Sequence, residues 1–296
     1  MSLLSSSLWN AVGRSPFSVE YVDAAGVRTR VIRAGDPTKP TVVFLHGTGG
    51  HGEAFLRNLA AHSRDYHVLI PDLVGHGWTD KPAIDYDLAD YAQHAIGLLD
   101  AFEAQSAIFS GESLGGDVAA WLATRSPSRV DAIVLNTGAG YLIPLDTAEH
   151  LADVSLAAVK DPSHARVRAR LEWLFRNPDQ VPDELVECRR AIYSQPDMAS
   201  TMQRIFVRLT TPEGRGRNEV TAEEWRDWNK PALIVGTTHD PTAPPSKAAE
   251  IASYIPGAEV AVIEEAGHWP QFEKPDEFNS VHLAFLDAVT NRQERV

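Results

Sequence analysis

Four compact apolar runs recur along the first half of the chain, "TVVFL" (41–45), "YHVLI" (66–70), "SAIFS" (106–110) and "DAIVLN" (131–136). Each is short and rich in β-branched residues, and none alternates apolar with polar. Such continuous runs suit strands covered on both faces of a parallel sheet. Helical patterns at 53–63, 88–104 and 114–125 separate them; in the second, Leu88, Tyr91, Ala92, Ala95, Leu98 and Leu99 share one face. The alternation predicts an α/β fold, with a mostly parallel central sheet and helices on both faces. Ahead of it, 17–22 and 27–32 flank "DAAG" and read as an antiparallel hairpin.

The rhythm stops after "NTGAGYLIP". Residues 142–227 show helical patterns broken by Pro162, Pro178 and Pro182 and no clear strand. "PALIVG" (231–236), a helix from Ser246, "EVAVIEE" (259–265) and a helix from Pro275 then resume it. The simplest organisation is one core, 1–141 with 228–296, interrupted by a helical lid insertion at 142–227.

The formal net charge is −13 over 296 residues. A chain this acidic is poorly suited to binding nucleic acid or an anionic membrane through a general basic surface. Between Lys160 and Asp227, however, twelve Lys/Arg balance twelve Asp/Glu, so positive groups concentrate in the insertion. The one cysteine, Cys188, permits neither an internal disulfide nor a multi-cysteine metal site. No stretch reads as a signal peptide or a membrane span. The expectation is a soluble cytoplasmic protein acting on a small molecule; a homo-oligomer is compatible with it.

"GESLGG" (111–116) lies between an apolar run and a helical pattern. That strand–turn–helix setting is what a nucleophile elbow requires, with Ser113 on a sharp turn and Gly111 and Gly115 avoiding clashes. The plainer reading is a structural serine in a glycine turn. A serine nucleophile needs a base, and the base an orienting acid. Asp240 in "THDPTAPP" and His268 in "EAGHWPQFE" follow two later strands, in the order Ser, Asp, His. Asp240 alternatively shapes the turn before Pro241, and His268 is alternatively a surface histidine. His282 also lies beyond the last strand, but well inside the final helical pattern.

The reaction also needs donors for a developing oxyanion. "LHGTGGHGEAF" runs from a strand into a glycine-rich loop, and the backbone N–H groups of Thr48 and Leu114 form the natural pair. Asp72, His76 and Asp80 in "PDLVGHGWTDKP" read as parts of a tight turn rather than as chemistry.

In order, "LHGTGG", "PDLVGHGWTDKP", "GESLGG", "HDPTAP" and "GHWPQFE" resemble the α/β-hydrolase superfamily over nearly the whole chain. The segment "GHWPQFEKPDEFN" is similar to that around the catalytic histidine of meta-cleavage product hydrolases. Those enzymes cleave a carbon–carbon bond in 2-hydroxy-6-oxo-hexa-2,4-dienoates, formed by ring opening of catechols. The resemblance implies Ser113, Asp240 and His268 as the catalytic triad. It also implies that Arg189, in "DELVECRRAIYSQPDM", contacts the substrate carboxylate and that Trp269 helps bind the dienoate. No cofactor or metal is implied. Two departures stand out: the family often has Asn before the nucleophile, where this chain has Glu112, and its oxyanion loop often reads Gly-Gly-Gly-Pro-Gly.

The chemistry agrees with these assignments. A dienoate is a planar conjugated anion and calls for a flat apolar slot, one fixed cation and a nucleophile at the distant ketone. Arg189 offers a bidentate contact, or else is a solvated helix arginine beside Arg190. Trp269, Trp173, Phe175, Tyr193 and Phe206 either line the slot or pack the lid and core. Other readings share the triad: a carboxylesterase or lactonase, a cofactor-free perhydrolase, and a ligand receptor on a hydrolase scaffold. Glu112 is expected to brace the elbow or the oxyanion loop, with a hydrogen-bond or charge partner.

Overall fold

A computed structural model describes residues 7–13, 15–138 and 140–293, with side chains through Asn291. Strands β1 (Phe17–Ala24) and β2 (Val27–Ala34) form an antiparallel hairpin. Then follow β3 (Thr41–Leu45), α1 (Leu56–His62), β4 (His67–Pro71), α2 (Leu88–Ala101), β5 (Ala107–Glu112), α3 (Leu114–Arg125) and β6 (Val130–Asn136). The expected helix at 53–63 is split, because Gly52–Phe55 forms a tighter 3₁₀ turn before α1. Six helices come next: α4 (Leu145–Lys160), α5 (His164–Glu172), α6 (Asp183–Tyr193), α7 (Met198–Thr210), α8 (Pro212–Arg217) and α9 (Ala222–Arg226). The chain returns through β7 (Ala232–Thr237), α10 (Ser246–Tyr254), β8 (Glu259–Ile263), α11 (Pro270–Glu273) and α12 (Pro275–Gln293).

The eight strands lie in the order β1-β2-β4-β3-β5-β6-β7-β8. β2 meets β4 antiparallel, and every pairing from β4 to β8 is parallel. This is an α/β fold with a mostly parallel sheet, as the run pattern predicts. The two-residue period of a strand sends alternate side chains to opposite faces. Val42, Phe44, Val68, Ile70 and Ile108 pack on one face with α1, α12 and parts of α4 to α7. Val43, Leu45, Leu69 and Phe109 pack on the other with α2, α3 and α10. Covering both faces is what makes β3, β4 and β5 fully buried along their length and largely apolar. Among the described residues, no helix is long and apolar enough to cross a membrane.

Strand β5 runs two residues further than the apolar pattern reaches, through Gly111 and Glu112, which pair with Leu135 and Asn136 of β6. The turn after β5 therefore begins abruptly at Ser113, between a central strand and the first residue of α3.

Candidate active site

Ser113 has φ 52° and ψ −117°, a left-handed backbone that few non-glycine residues adopt. Its N–H donates to Asn136 O (3.0 Å) and its carbonyl accepts from Asp117 N (2.9 Å), so both flanks hold the turn. The turn leaves no space beside it. A Cβ on Gly111 would lie 2.0 Å from the carbonyl carbon of Gly115, and one on Gly115 would lie 2.1 Å from Leu45 O. These contacts are why a sharp strand-to-helix turn demands glycine on either side of its central residue.

Asp240 and His268 come from the loops after β7 and β8. His268 Nδ1 lies 2.8 Å from Asp240 Oδ1. The same oxygen accepts from the N–H and Oγ1 of Thr242, both at 2.8 Å, which fixes the carboxylate. Both side chains are buried. The loop of His268 is itself held at three points. Thr137 Oγ1 donates to His268 O (2.8 Å), His268 N donates to Leu174 O (2.7 Å), and Thr237 Oγ1 donates to Gly267 O (2.8 Å).

Glu112 supplies what sequence reasoning missed. Its Oε1 lies 3.0 Å from His268 Nε2, the ring nitrogen that would otherwise face Ser113. Its Oε2 accepts the N–H of Gly47 at 2.7 Å, so it does tie to the glycine-rich loop. The carboxylate occupies the space a Gly47 Cβ would need, 2.6 Å from either oxygen. His268 is thus clamped between two carboxylates. Burial opposes its charge, but Asp240 and then Glu112 outweigh burial and push its pKa up to about 10. The raised pKa favours the protonated ring against Glu112, and Ser113 Oγ has no hydrogen-bond partner among the described residues.

Thr48 and Leu114 flank Ser113, Thr48 in the wall of the same cavity and Leu114 as the first residue of α3. Among the described residues neither backbone N–H has a protein acceptor. Leu114 N–H is one of the free donors that every helix start leaves. The Gly47 N–H, by contrast, is occupied by Glu112.

The motif after His268 has a structural role. Glu273 Oε1 accepts the N–H groups of Gly267 (3.0 Å) and Trp269 (3.2 Å), and Oε2 accepts that of Arg176 (2.8 Å). One carboxylate thereby ties the His268 loop to the loop after α5. Gln271 Oε1 accepts from Asn136 Nδ2 (2.9 Å) at the end of β6, next to the elbow.

The cavity at Ser113 is walled by Gly47, Thr48, Glu112, His268 and Trp269 and roofed by Leu151 of α4, Arg170 of α5 and Leu174. Its free volume is about 10 Å³, room for about one water molecule. Arg189 is 1% exposed, and its Nε and Nη2 have no acceptor among the described residues. Its guanidinium carbon lies 5.4 Å from the ring centre of Trp269 and 5.8 Å from that of Tyr193. It is a buried cation among aromatic rings, not a solvated helix arginine. Trp173, Phe175, Tyr193 and Phe206 do not line the Ser113 cavity. Phe175 packs tilted against Trp269 and edge-on against Phe272, both with centroids 5.7 Å away, and Tyr193 donates to Gly49 O (3.2 Å).

The remaining polar candidates are structural. Asp72 accepts the N–H groups of Gly52 and Trp78 and pairs with Arg30, holding the turn after β4. Burial pushes the His76 ring down to about 3, so it stays neutral with Nδ1 on Val74 O. His282 is fully buried in a relay from Ser110 through His62 to Asn58 O, remote from the base position. His51, Glu53 and Cys188 cluster closely enough to hold a metal ion, but Arg30 already engages both Glu53 oxygens.

A parallel α/β core with a strained serine turn and a buried Asp–His pair beyond the next strands defines a hydrolase scaffold. The family pattern of the alpha/beta hydrolase fold matches residues 40–275, and the chain belongs to that family. It is an enzyme of the hydrolase class. Among its relatives is a 2-hydroxymuconate semialdehyde hydrolase of Pseudomonas putida, 29% identical over 94% of this chain and 97% of that one. The dihydrolipoyllysine-residue acetyltransferase component of an acetoin cleaving system of Cupriavidus necator is 29% identical over 88% of this chain and 67% of its own length. A solved meta-cleavage product hydrolase of Pseudomonas fluorescens IP01 superposes with a TM-score of 0.79, at 27% identity over 91% of this chain and 97% of that one.

Proposed function

We propose that the chain hydrolyses a carbon–carbon bond in a 2-hydroxy-6-oxo-hexa-2,4-dienoate, a ring-cleavage product of aromatic degradation, with Ser113, Asp240 and His268 as its triad. The observation that carries this reading is Arg189. A buried guanidinium with two unpartnered nitrogens, set between Trp269 and Tyr193, is costly unless a ligand supplies an anion. Flat aromatic surroundings and a fixed cation suit a planar conjugated carboxylate. Similarity to the P. putida and P. fluorescens enzymes supports the same substrate class.

In this reading Arg189 holds the C1 carboxylate while the dienol loses its 2-hydroxyl proton and takes one up at C5, becoming the 2-ketone. His268 loses its Nε2 proton to solvent as the Glu112–His268 contact breaks, and the neutral imidazole acts as base. Ser113, or a water activated by His268, attacks the C6 carbonyl, and the N–H groups of Thr48 and Leu114 take the oxyanion. The C5–C6 bond breaks with its electron pair delocalised into the dienolate. Water completes release of a carboxylic acid and a 2-hydroxydienoate. Ligand sites usually offer several hundred Å³, so the roof contributed by α4 and α5 acts as part of a lid, 142–227, that lifts to admit substrate.

The test is loss of the yellow dienolate absorbance with a panel of ring-cleavage products. Bleaching by the wild type and none by Ser113→Ala is the expected result. A panel that stays yellow with wild-type protein, while simple esters are hydrolysed, replaces this reading with an esterase.

A further inference from the structure

Arg170 is a second buried cation, and the mechanism above gives it no task. It sits in α5, is 3% exposed, and shares the walls of the Ser113 cavity with Glu112 and His268. Its Nε donates to Ser155 Oγ at 2.9 Å, and its guanidinium carbon lies 5.5 Å from the ring centre of Trp173. Its Nη1 is buried with no acceptor among the described residues. Burial pulls the guanidinium down to about 10; Tyr193 opposes that, Arg189 adds to it and Glu112 opposes it. Glu112 is thus the one carboxylate acting on a cation whose Nη1 has no partner.

Glu112 has the matching need. Its Oε1 must let go of His268 Nε2 before the imidazole can act as base, and Oε2 alone then keeps a partner, the Gly47 N–H at 2.7 Å. Glu112 is 1% exposed, and a buried carboxylate that loses a charged partner is strongly disfavoured unless another replaces it. The charged groups around His268 are Asp240 from the loop after β7, Glu112 at the end of β5, Glu273 of α11 and Arg170 of α5. Arg170 is the one lysine or arginine in the wall of the cavity.

We propose that Arg170 is a positioning residue that receives Glu112 when His268 is freed: Oε1 passes from His268 Nε2 to Arg170 Nη1, and the protonated ring gives its Nε2 proton to solvent. This rests on His268 being the base for Ser113 in the proposed reaction, and not on which acyl compound is cleaved. Deprotonation of His268 and movement of Glu112 are then one linked equilibrium. Whatever stabilises Glu112 on Arg170 lowers the pH at which the base becomes neutral.

The test uses p-nitrophenyl acetate, a neutral ester with no carboxylate for Arg170 to bind, and follows kcat and KM from about pH 5 to about pH 9.5. In Arg170→Met the acid limb should move up by about one unit or more. Near pH 7, kcat should then fall about tenfold or more while KM stays within about threefold. Arg170→Lys keeps the charge and should recover part of the shift. In a Glu112→Gln background, Arg170→Met should move the limb by less than about 0.3 unit, because no carboxylate is left to receive. An equal shift in both backgrounds overturns the proposal, since Arg170 would then act on His268 through space. An unmoved limb in Arg170→Met overturns it too, and a rise in KM confined to a dienoate would make Arg170 a substrate contact instead. Methionine fills the space of a buried arginine without its charge, so the thermal midpoint should not fall; if it does, Arg170→Lys in the two backgrounds carries the comparison. If Ser113→Ala cleaves the ester as fast as wild type, or wild type cleaves neither ester nor dienoate, the triad reading fails and this proposal with it.

Discussion

His268 Nε2 sits 3.0 Å from Glu112 Oε1, so the nitrogen that should receive the Ser113 proton is held by a carboxylate. A base must be neutral to act, and Asp240 with Glu112 pushes His268 up to about 10 against the effect of burial. Activity should therefore rise with pH through the neutral range. Glu112→Gln removes one of the two negative charges and should shift the acid limb of kcat/KM down by about one unit or more. The pH–rate profiles of the two proteins check this. An unmoved limb with unchanged rates would mean that Glu112 leaves His268 before the free enzyme binds substrate.

The same clamp bears on stability. The folded pKa of His268, about 10, exceeds its ordinary value of 6.5. Its stabilising contribution is therefore complete below about pH 6.5 and is lost as pH rises toward 10. His51, raised to about 9 beside Cys188 and Glu53 despite its burial, has the same sign. The difference between wild type and His268→Gln isolates the first group. Thermal midpoints of the two proteins should be furthest apart near pH 6 and converge toward pH 10. A gap that stays constant over that range would show that His268 does not change protonation with folding.

Arg189→Ala separates the two enzymatic readings. Losing a buried, bidentate partner of the substrate carboxylate costs about 2–5 kcal/mol, or about 30-fold to several thousand-fold in kcat/KM on a dienoate. A neutral p-nitrophenyl ester does not use that cation, and its hydrolysis should fall by less than about threefold. Parallel losses on both substrates would make Arg189 a support of the site rather than a substrate contact.

Much of the scaffold is visible in the residue pattern for a simple reason. β3 is "TVVFL" because both its faces are covered, and Ser113 is conspicuous because its turn tolerates only glycine around it. The spacing of Asp240 and His268 beyond two successive strands likewise anticipates their 2.8 Å contact. What stays hidden depends on side-chain direction and depth. Glu112 ends a strand, and only the register with Asn136 and the approach of Gly47 decide that its carboxylate reaches His268. Arg170 is one of twelve basic residues in a charged stretch, and nothing local marks it as buried. Arg189 and Arg190 are adjacent, yet one is enclosed by aromatic rings while the other pairs with Glu187 at the surface.

Glu273 should matter to catalysis without touching substrate. Its carboxylate collects three backbone N–H groups on either side of His268 and from the loop after α5. Glu273→Ala leaves all three donors without their acceptor, at about 1–3 kcal/mol for each that stays buried. Both the thermal midpoint and kcat should fall. Glu273→Gln keeps one acceptor oxygen and should recover part of both. If Glu273→Ala lowers the midpoint but leaves kcat intact, the carboxylate supports the fold and does not position His268.

Gly115 tests the elbow as a packing constraint, apart from any chemistry at Ser113. An added Cβ would meet Leu45 O at 2.1 Å and Leu45 C at 2.4 Å. Both are backbone atoms of β3, so no side chain can yield, and α3 must move away from the sheet. Overpacking of this kind costs up to about 3 kcal/mol or more, which in a chain of this size is a drop of about 5–10 °C in the melting temperature. Gly216, in α8, is the control, because nothing lies within 4 Å of its added Cβ and its backbone is helical. Gly216→Ala should be neutral or stabilising by up to about 1 kcal/mol. Calorimetry on the pair decides the matter: equal midpoints would show that α3 adjusts freely, and that the tight turn at Ser113 does not depend on its distance from β3.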